Sequence, residues 1–157
     1  MIAQWRETAS AIRGVVLVLV LATTFQLKAE AALGGAASFA EADRASKHVR
    51  SKAAAGTAYS VLEMTIPDGT VIREFVSSEN GRVFAVAWQG PFMPDLRQFL
   101  GEHFDTFVES ASKQGRGGVS VRKPEVVIHS GGHMRAFSGM AYLPGQLPKG
   151  VRVEDIR

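Results

Sequence analysis

The sequence predicts an α+β fold, an antiparallel sheet of about five strands in the order βββ-α-ββ with one amphipathic helix packed on one face. Three observations lead there. Residues 57–88 alternate with a period of two between turn residues. Residues 96–111 switch to a helical period. Of the 157 residues, 46% are hydrophobic and 21% charged, enough for one core and too apolar for a disordered tail. The 18 Lys and Arg against 15 Asp and Glu give a net charge of +3. That near-balance lacks the dense basic patch on which nucleic-acid binding depends, so no nucleic-acid partner is expected.

The chain opens unlike the rest. Arg6 and Arg13 precede the apolar run GVVLVLVLATTF, residues 14–25, and Ala29-Glu30-Ala31 follow it. A basic start, a short apolar run and small residues before a cut make a signal peptide, here residues 1–31. The run is too short for a spanning helix, which needs about twenty apolar residues. Export to the periplasm or the medium is therefore expected, with no stable membrane span after cleavage. Losing Arg6, Arg13, Lys28, Glu7 and Glu30 lowers the net charge from +3 to +2. With no cysteine in the chain, neither a lipid anchor at the cut nor a disulfide is available, and stability must come from packing.

Residues 32–56 are rich in alanine. Ser38 with Glu41 fits a capping box, and Arg44, Lys47, His48, Arg50 and Lys52 form a basic cluster, as expected of a peripheral helix or arm. A single domain follows over residues 57–157. Its first three strands are expected at 57–66, 70–77 and 82–88, parted by Pro67-Asp68-Gly69 and Ser78-Glu79-Asn80-Gly81. The third is apolar on both faces, Phe84, Val86 and Trp88 against Val83, Ala85 and Ala87, and belongs in the middle of the sheet. Pro94-Asp95 then opens a helix with Leu96, Phe99, Leu100, Phe104, Phe107, Val108 and Ala111 in one stripe, expected to be the core helix. A flexible glycine-rich loop, Lys113-Gln114-Gly115-Arg116-Gly117-Gly118, leads to two strands, 125–129 and 133–142, joined by a turn at Ser130-Gly131-Gly132. An irregular tail follows.

The absence of cysteine excludes thiol catalysis and thiolate metal sites. No phosphate loop, dinucleotide fingerprint or nucleophile elbow occurs, and no cofactor is expected. His129 and His133 flank the expected glycine turn and could approach as two metal ligands, although two ligands are not a site. No catalytic residue stands out. Arg73 and Glu74 are adjacent on one strand, so one of them must face whatever covers the sheet. This singles out Arg73, Trp88, His133 and Arg135 as a candidate polar and aromatic binding surface, with cross-strand pairing around one core aromatic as the plainer reading. Three readings remain open: a non-catalytic domain binding an envelope component or another protein; a small hydrolase or metal-dependent enzyme using His129 and His133; and a small-ligand carrier.

The blocks ALGG, DGTVIREFV, GRVFAVAWQGPFMPDLRQFLGEHF, GGHMRAFSGMAYLPGQLPKGV and EDIR resemble the domain of unknown function 2844 family of exported proteobacterial proteins. The resemblance runs from Ala32 to Arg157. It implies an export signal and one small domain, and it carries over no activity or catalytic residue.

Overall fold

The computed structural model describes residues 32–37, 50–52, 58–115 and 117–156. The apolar run at 14–25, the Ser38–Glu41 box and the basic side chains of Arg44, Lys47 and His48 lie outside them. Among the described residues no helix is long and apolar enough to cross a membrane.

Among the described residues seven strands form one antiparallel sheet: β1 (Arg50–Lys52), β2 (Tyr59–Thr65), β3 (Val71–Ser77), β4 (Val83–Gly90), β5 (Val119–Arg122), β6 (Val127–His133) and β7 (Ala136–Tyr142). The spatial order is β1-β2-β3-β4-β7-β6-β5. Two meanders thus meet at β4, the central strand that its apolar sequence predicts. The first meander turns where Gly69 and Gly81 take positive φ of 88° and 68°. Asp68 and Asn80 fix these turns by accepting from the backbone N–H groups of Thr70 and Arg82, at 2.8 and 2.9 Å.

Two features of the second meander differ from the expectation. The four-residue strand β5 was hidden behind the glycine loop. In addition, β6 runs straight through Ser130-Gly131-Gly132, and the turn is Met134-Arg135, since His133 pairs with Ala136. Glycine is needed at 132 because a Cβ there would collide with the Ala136 carbonyl of the facing strand. Arg135 adopts the left-handed φ of 67° that glycine more commonly fills. Edge strand β5 is blunted by Gln114, whose amide both donates to the Ser120 carbonyl and accepts from its N–H, each at 2.9 Å.

The helical stretch divides into α1 (Leu96–Leu100), a 3-10 turn and α2 (Phe104–Gln114). Asp95 caps α1 by accepting from the Arg97 N–H at 3.1 Å. The break falls at Gly101, whose φ of 53° interrupts the stripe. A Cβ at Gly101 would collide with Ala32, so the chain start and the helix break fit each other. Leu96, Phe99 and Leu100 consequently enter the core, whereas Phe104 and Phe107 are half-buried and Val108 is exposed. Arg97 lies over the Phe104 ring at 4.4 Å. On the exposed side of α2, Lys113 approaches Glu109 to 2.7 Å and holds that carboxyl below its ordinary range.

A bulge decides which face of β4 each residue serves. Phe75 pairs with Ala85 but Val76 with Val83, leaving Phe84 as the extra residue. The expected simple alternation therefore breaks. Val83 joins Val86 and Trp88 on the helix side, while Phe84 joins Ala85 and Ala87 on the other. On the helix side these residues pack with Met64, Ile72, Ile128 and Leu33. The opposite side holds Phe75, Phe84 and half-buried Tyr59 and Tyr142, covered by Leu147, Val151 and Ile156 of the tail. Tyr59 meets Phe84 edge-on at 5.8 Å. The tail is thus part of the core, with Ile156 only 1% exposed.

Ile156→Ala should lower unfolding stability by about 2–4 kcal/mol, the range for deleting a buried large aliphatic side chain. Urea unfolding checks this. A change under about 0.5 kcal/mol would mean that the tail does not pack as described.

Candidate functional site

The tail covers only part of its face. Strand pairing arranges that face in rows running across the sheet. The row beneath the tail is Val61, Phe75, Ala85 and Tyr142, bulky except on β4. The next row, from β2 to β5, is Glu63, Arg73, Ala87, Met140, His129 and Ser120. Beyond it come Val71, Gln89, Ser138 and Gly131. Small residues in these two rows leave the surface sunken beside the tail. The result is a groove of about 560 Å³ with Ile156 at its margin. Across the strands from Arg73 to Ser120 it spans about 19 Å, four inter-strand spacings.

The polar groups of the groove are positioned by their neighbours. Arg73 Nε donates to Glu63 Oε2 at 2.7 Å, a directly opposed cross-strand pair. Its side chain is 29% exposed and that of Glu63 39%, so the pair contributes at most about 1 kcal/mol, but it fixes where the guanidinium lies. Ser120 Oγ and His129 Nδ1, also a cross-strand pair, stand 3.2 Å apart. Gln114, by fixing the Ser120 backbone, steadies that end. Arg73 is the only Lys or Arg among the described lining residues, and none of them is Asp or Glu.

The floor depends on Gly139. It pairs with Trp88 on β4 and with Ser130 on β6, and a Cβ there would collide with the Trp88 indole and the His129 carbonyl. The indole lies against the strand where other residues carry a side chain. Trp88 is 2% exposed, and among the described residues its Nε1 has no hydrogen-bond partner.

Of the four residues singled out from the sequence, two meet at the groove and two do not. Arg73 lines the groove, and so does Trp88, 2% exposed and packed into the helix-side core. His133 sits near the end of the β6–β7 hairpin with Nδ1 3.2 Å from the Met134 carbonyl. Arg135 lines an adjoining hollow of about 310 Å³ that shares Gln89 and Ser138 with the groove. His129 and His133 do not flank a turn: they lie four residues apart along one strand, about 13 Å by strand rise. Among the described residues no three His, Asp or Glu side chains are placed to hold a metal. Glu74 is buried on the helix side between the partner positions Leu62 and Val86. The adjacent Arg73–Glu74 pair thus sends its cation to the groove and its carboxylate inward.

Ser120, Gln89, Ser138 and Met140 are the groove residues that sequence reasoning missed. Their signal is register: once Arg73 is paired with Ala87 and Ala87 with Met140, the rows follow. The bulge at Phe84 and the displaced hairpin turn hide that register from a simple alternation count.

Fold and site together define a two-layer α+β domain with a ligand-sized groove on the sheet face turned away from its helices. The chain belongs to the family described as Protein of unknown function (DUF2844), whose model matches residues 29–156. No curated protein and no solved structure matches it.

Gly139→Ala should lower stability by about 1–3 kcal/mol by forcing the indole and the β6 backbone apart. The readout is the urea midpoint at unchanged m-value. An unaltered midpoint would contradict the close contact between Trp88 and Gly139.

Proposed function

We propose that the protein is an exported, non-catalytic binding domain whose groove receives an uncharged, extended peptide segment. Export is supported by the basic, apolar and small-residue succession of residues 1–31, directly before the part of the chain that enters the fold. One observation carries the binding reading: the tail covers one part of the sheet face and leaves beside it a groove of about 560 Å³ with fixed polar groups.

The chemistry of the lining selects the ligand class. Arg73, the one guanidinium among the described lining residues, is bound to Glu63, so no uncompensated charge among them calls for a charged ligand. Gln89, Ser120, His129 and Ser138 offer donors and acceptors, while Ala87 and Met140 give apolar floor. Methionine adapts to varied side chains, which suits peptide better than a rigid ring. A span of about 19 Å accepts about six residues of extended chain. Ser120 with His129 forms a hydroxyl–imidazole contact without a groove carboxylate to orient the ring, and this favours binding over nucleophilic attack.

The test is a titration with a pool of uncharged hexapeptides, followed through backbone amide signals. Shifts at Gln89, Ser120, His129 and Ser138 are expected, and Ser138→Trp should abolish them while leaving the fold intact. Shifts confined to other surfaces, or unchanged binding in Ser138→Trp, would refute the assignment.

A further inference from the structure

Among the described residues four large apolar side chains are exposed: Phe92 at 53%, Met93 at 40%, Val108 at 46% and Met134 at 85%. Three of them gather at one end of the sheet. Phe92 and Met93 follow β4, whose last residue, Gly90, pairs with Phe137 of β7, and Met134 forms the β6–β7 turn with Arg135. Between the two tips lies the hollow of about 310 Å³ lined by Pro91, Arg135, Ala136 and Phe137. Backbone contacts fix both tips. The buried Thr70 hydroxyl donates to the Phe92 carbonyl at 3.0 Å, and Gly90 lies so close to Thr70 that a Cβ would collide with it. The hairpin closes on the His133–Ala136 pair, and Arg135 keeps a side chain at a φ of 67°, where glycine is the easier residue.

We propose that this end of the domain docks on a phospholipid bilayer, with Phe92, Met93 and Met134 entering the boundary between headgroups and acyl chains. The inference is independent of the peptide reading of the groove. Size argues against a protein occupant: the exposed parts of the three side chains amount to roughly 350 Å², taking about 200 Å² for each whole side chain, against about 800 Å² per partner in a stable interface. Shape argues the same way. Two apolar tips parted by a hollow leave a rigid partner unsupported between them, whereas fluid acyl chains close around each tip separately. Charge points to apolar insertion and not to attraction by anionic lipid. Arg135 and His133 stand at this end, but so do Asp68, on the turn that packs against Pro91, and Asp95, and Arg97 lies over the Phe104 ring. No basic patch results. Arg135, beside Met134, supplies a guanidinium for lipid phosphates while its stem stays with the apolar tip.

The chain has no cysteine, so a single introduced one takes up a single environment-sensitive dye. Full-length Met134→Cys and Glu79→Cys, the second on the turn at the opposite end of the sheet, are each labelled and mixed with phosphatidylcholine vesicles carrying bromine on their acyl chains. Each dye reports its own position, so attachment through the apolar run at 14–25 does not register as docking. The dye at 134 should be quenched about threefold or more beyond the dye at 79, equally at about 0.1 and about 0.5 M salt, where charge attraction is screened. Adding Phe92→Ser and Met93→Ser should remove about half or more of that excess; both side chains are exposed, and an unchanged amide spectrum checks that the fold is kept. Quenching at 134 no greater than at 79, or untouched by the two serines, would overturn the proposal. So would quenching that needs anionic lipid or vanishes at the higher salt, which assigns the contact to charge. A dye response at 134 that grows with protein concentration in the absence of lipid would overturn it in favour of a second copy of the chain.

Discussion

Strand β4 must bury both of its faces, and most of the structure follows from how that is done. Six of its eight residues, Val83 to Trp88, are buried. A strand at the centre of a sheet with one helical layer would leave one of those faces in water. Burying it at roughly 25 cal/mol per Å² of apolar surface is the main source of stability open to a chain without disulfides. Two covers are used. The helices and a strap at residues 32–36 close one side, and the tail, through Leu147, Val151 and Ile156, closes part of the other.

The bulge at Phe84 links these covers. By adding one residue it places Phe84 and Ala85 together on the tail side, building a bulky cluster with Phe75, Tyr59 and Tyr142 for Leu147, Val151 and Ile156 to cover. Beyond the bulge that face carries the small residues Ala87, Ser138 and Gly131 among Arg73, Met140, His129 and Gln89. The groove is thus the uncovered remainder of a face that the tail only partly needs to protect. Its polar groups pair across strands, Arg73 with Glu63 and Ser120 with His129, so the site is carried on rigid sheet and not on loops.

Much of the fold was legible in the sequence, and the failures have physical causes. The two-layer class, the central place of β4, the turns at Gly69 and Gly81 and the helix start at Pro94-Asp95 follow from local chemistry that tertiary packing leaves unchanged. Strand β5 was missed because four residues after a glycine loop carry too little periodicity. Gly131 and Gly132 read as a turn because glycine serves both sharp turns and close strand approach, and only the facing Ala136 carbonyl separates the two uses. Phe104 and Phe107 pack against the core but stay half-buried, an outcome hidden from the sequence because a helical stripe is silent about the break at Gly101. The site was the least legible part. Arg73 was recognised by its chemistry, but Ser120, Gln89 and Ser138 acquire a role only through register, which the bulge conceals.

Native-state hydrogen exchange at single-residue resolution tests most directly whether the tail is structural and so defines the groove. The Ile156 N–H, which donates to the Val153 carbonyl at 3.1 Å, should exchange with an opening free energy close to that of the β4 and β7 amides, since the tail and the central strands share one core. Exchange of Ile156 at the rate of an unstructured chain, with β4 and β7 still protected, would contradict the account, because the face would then be open along its whole length.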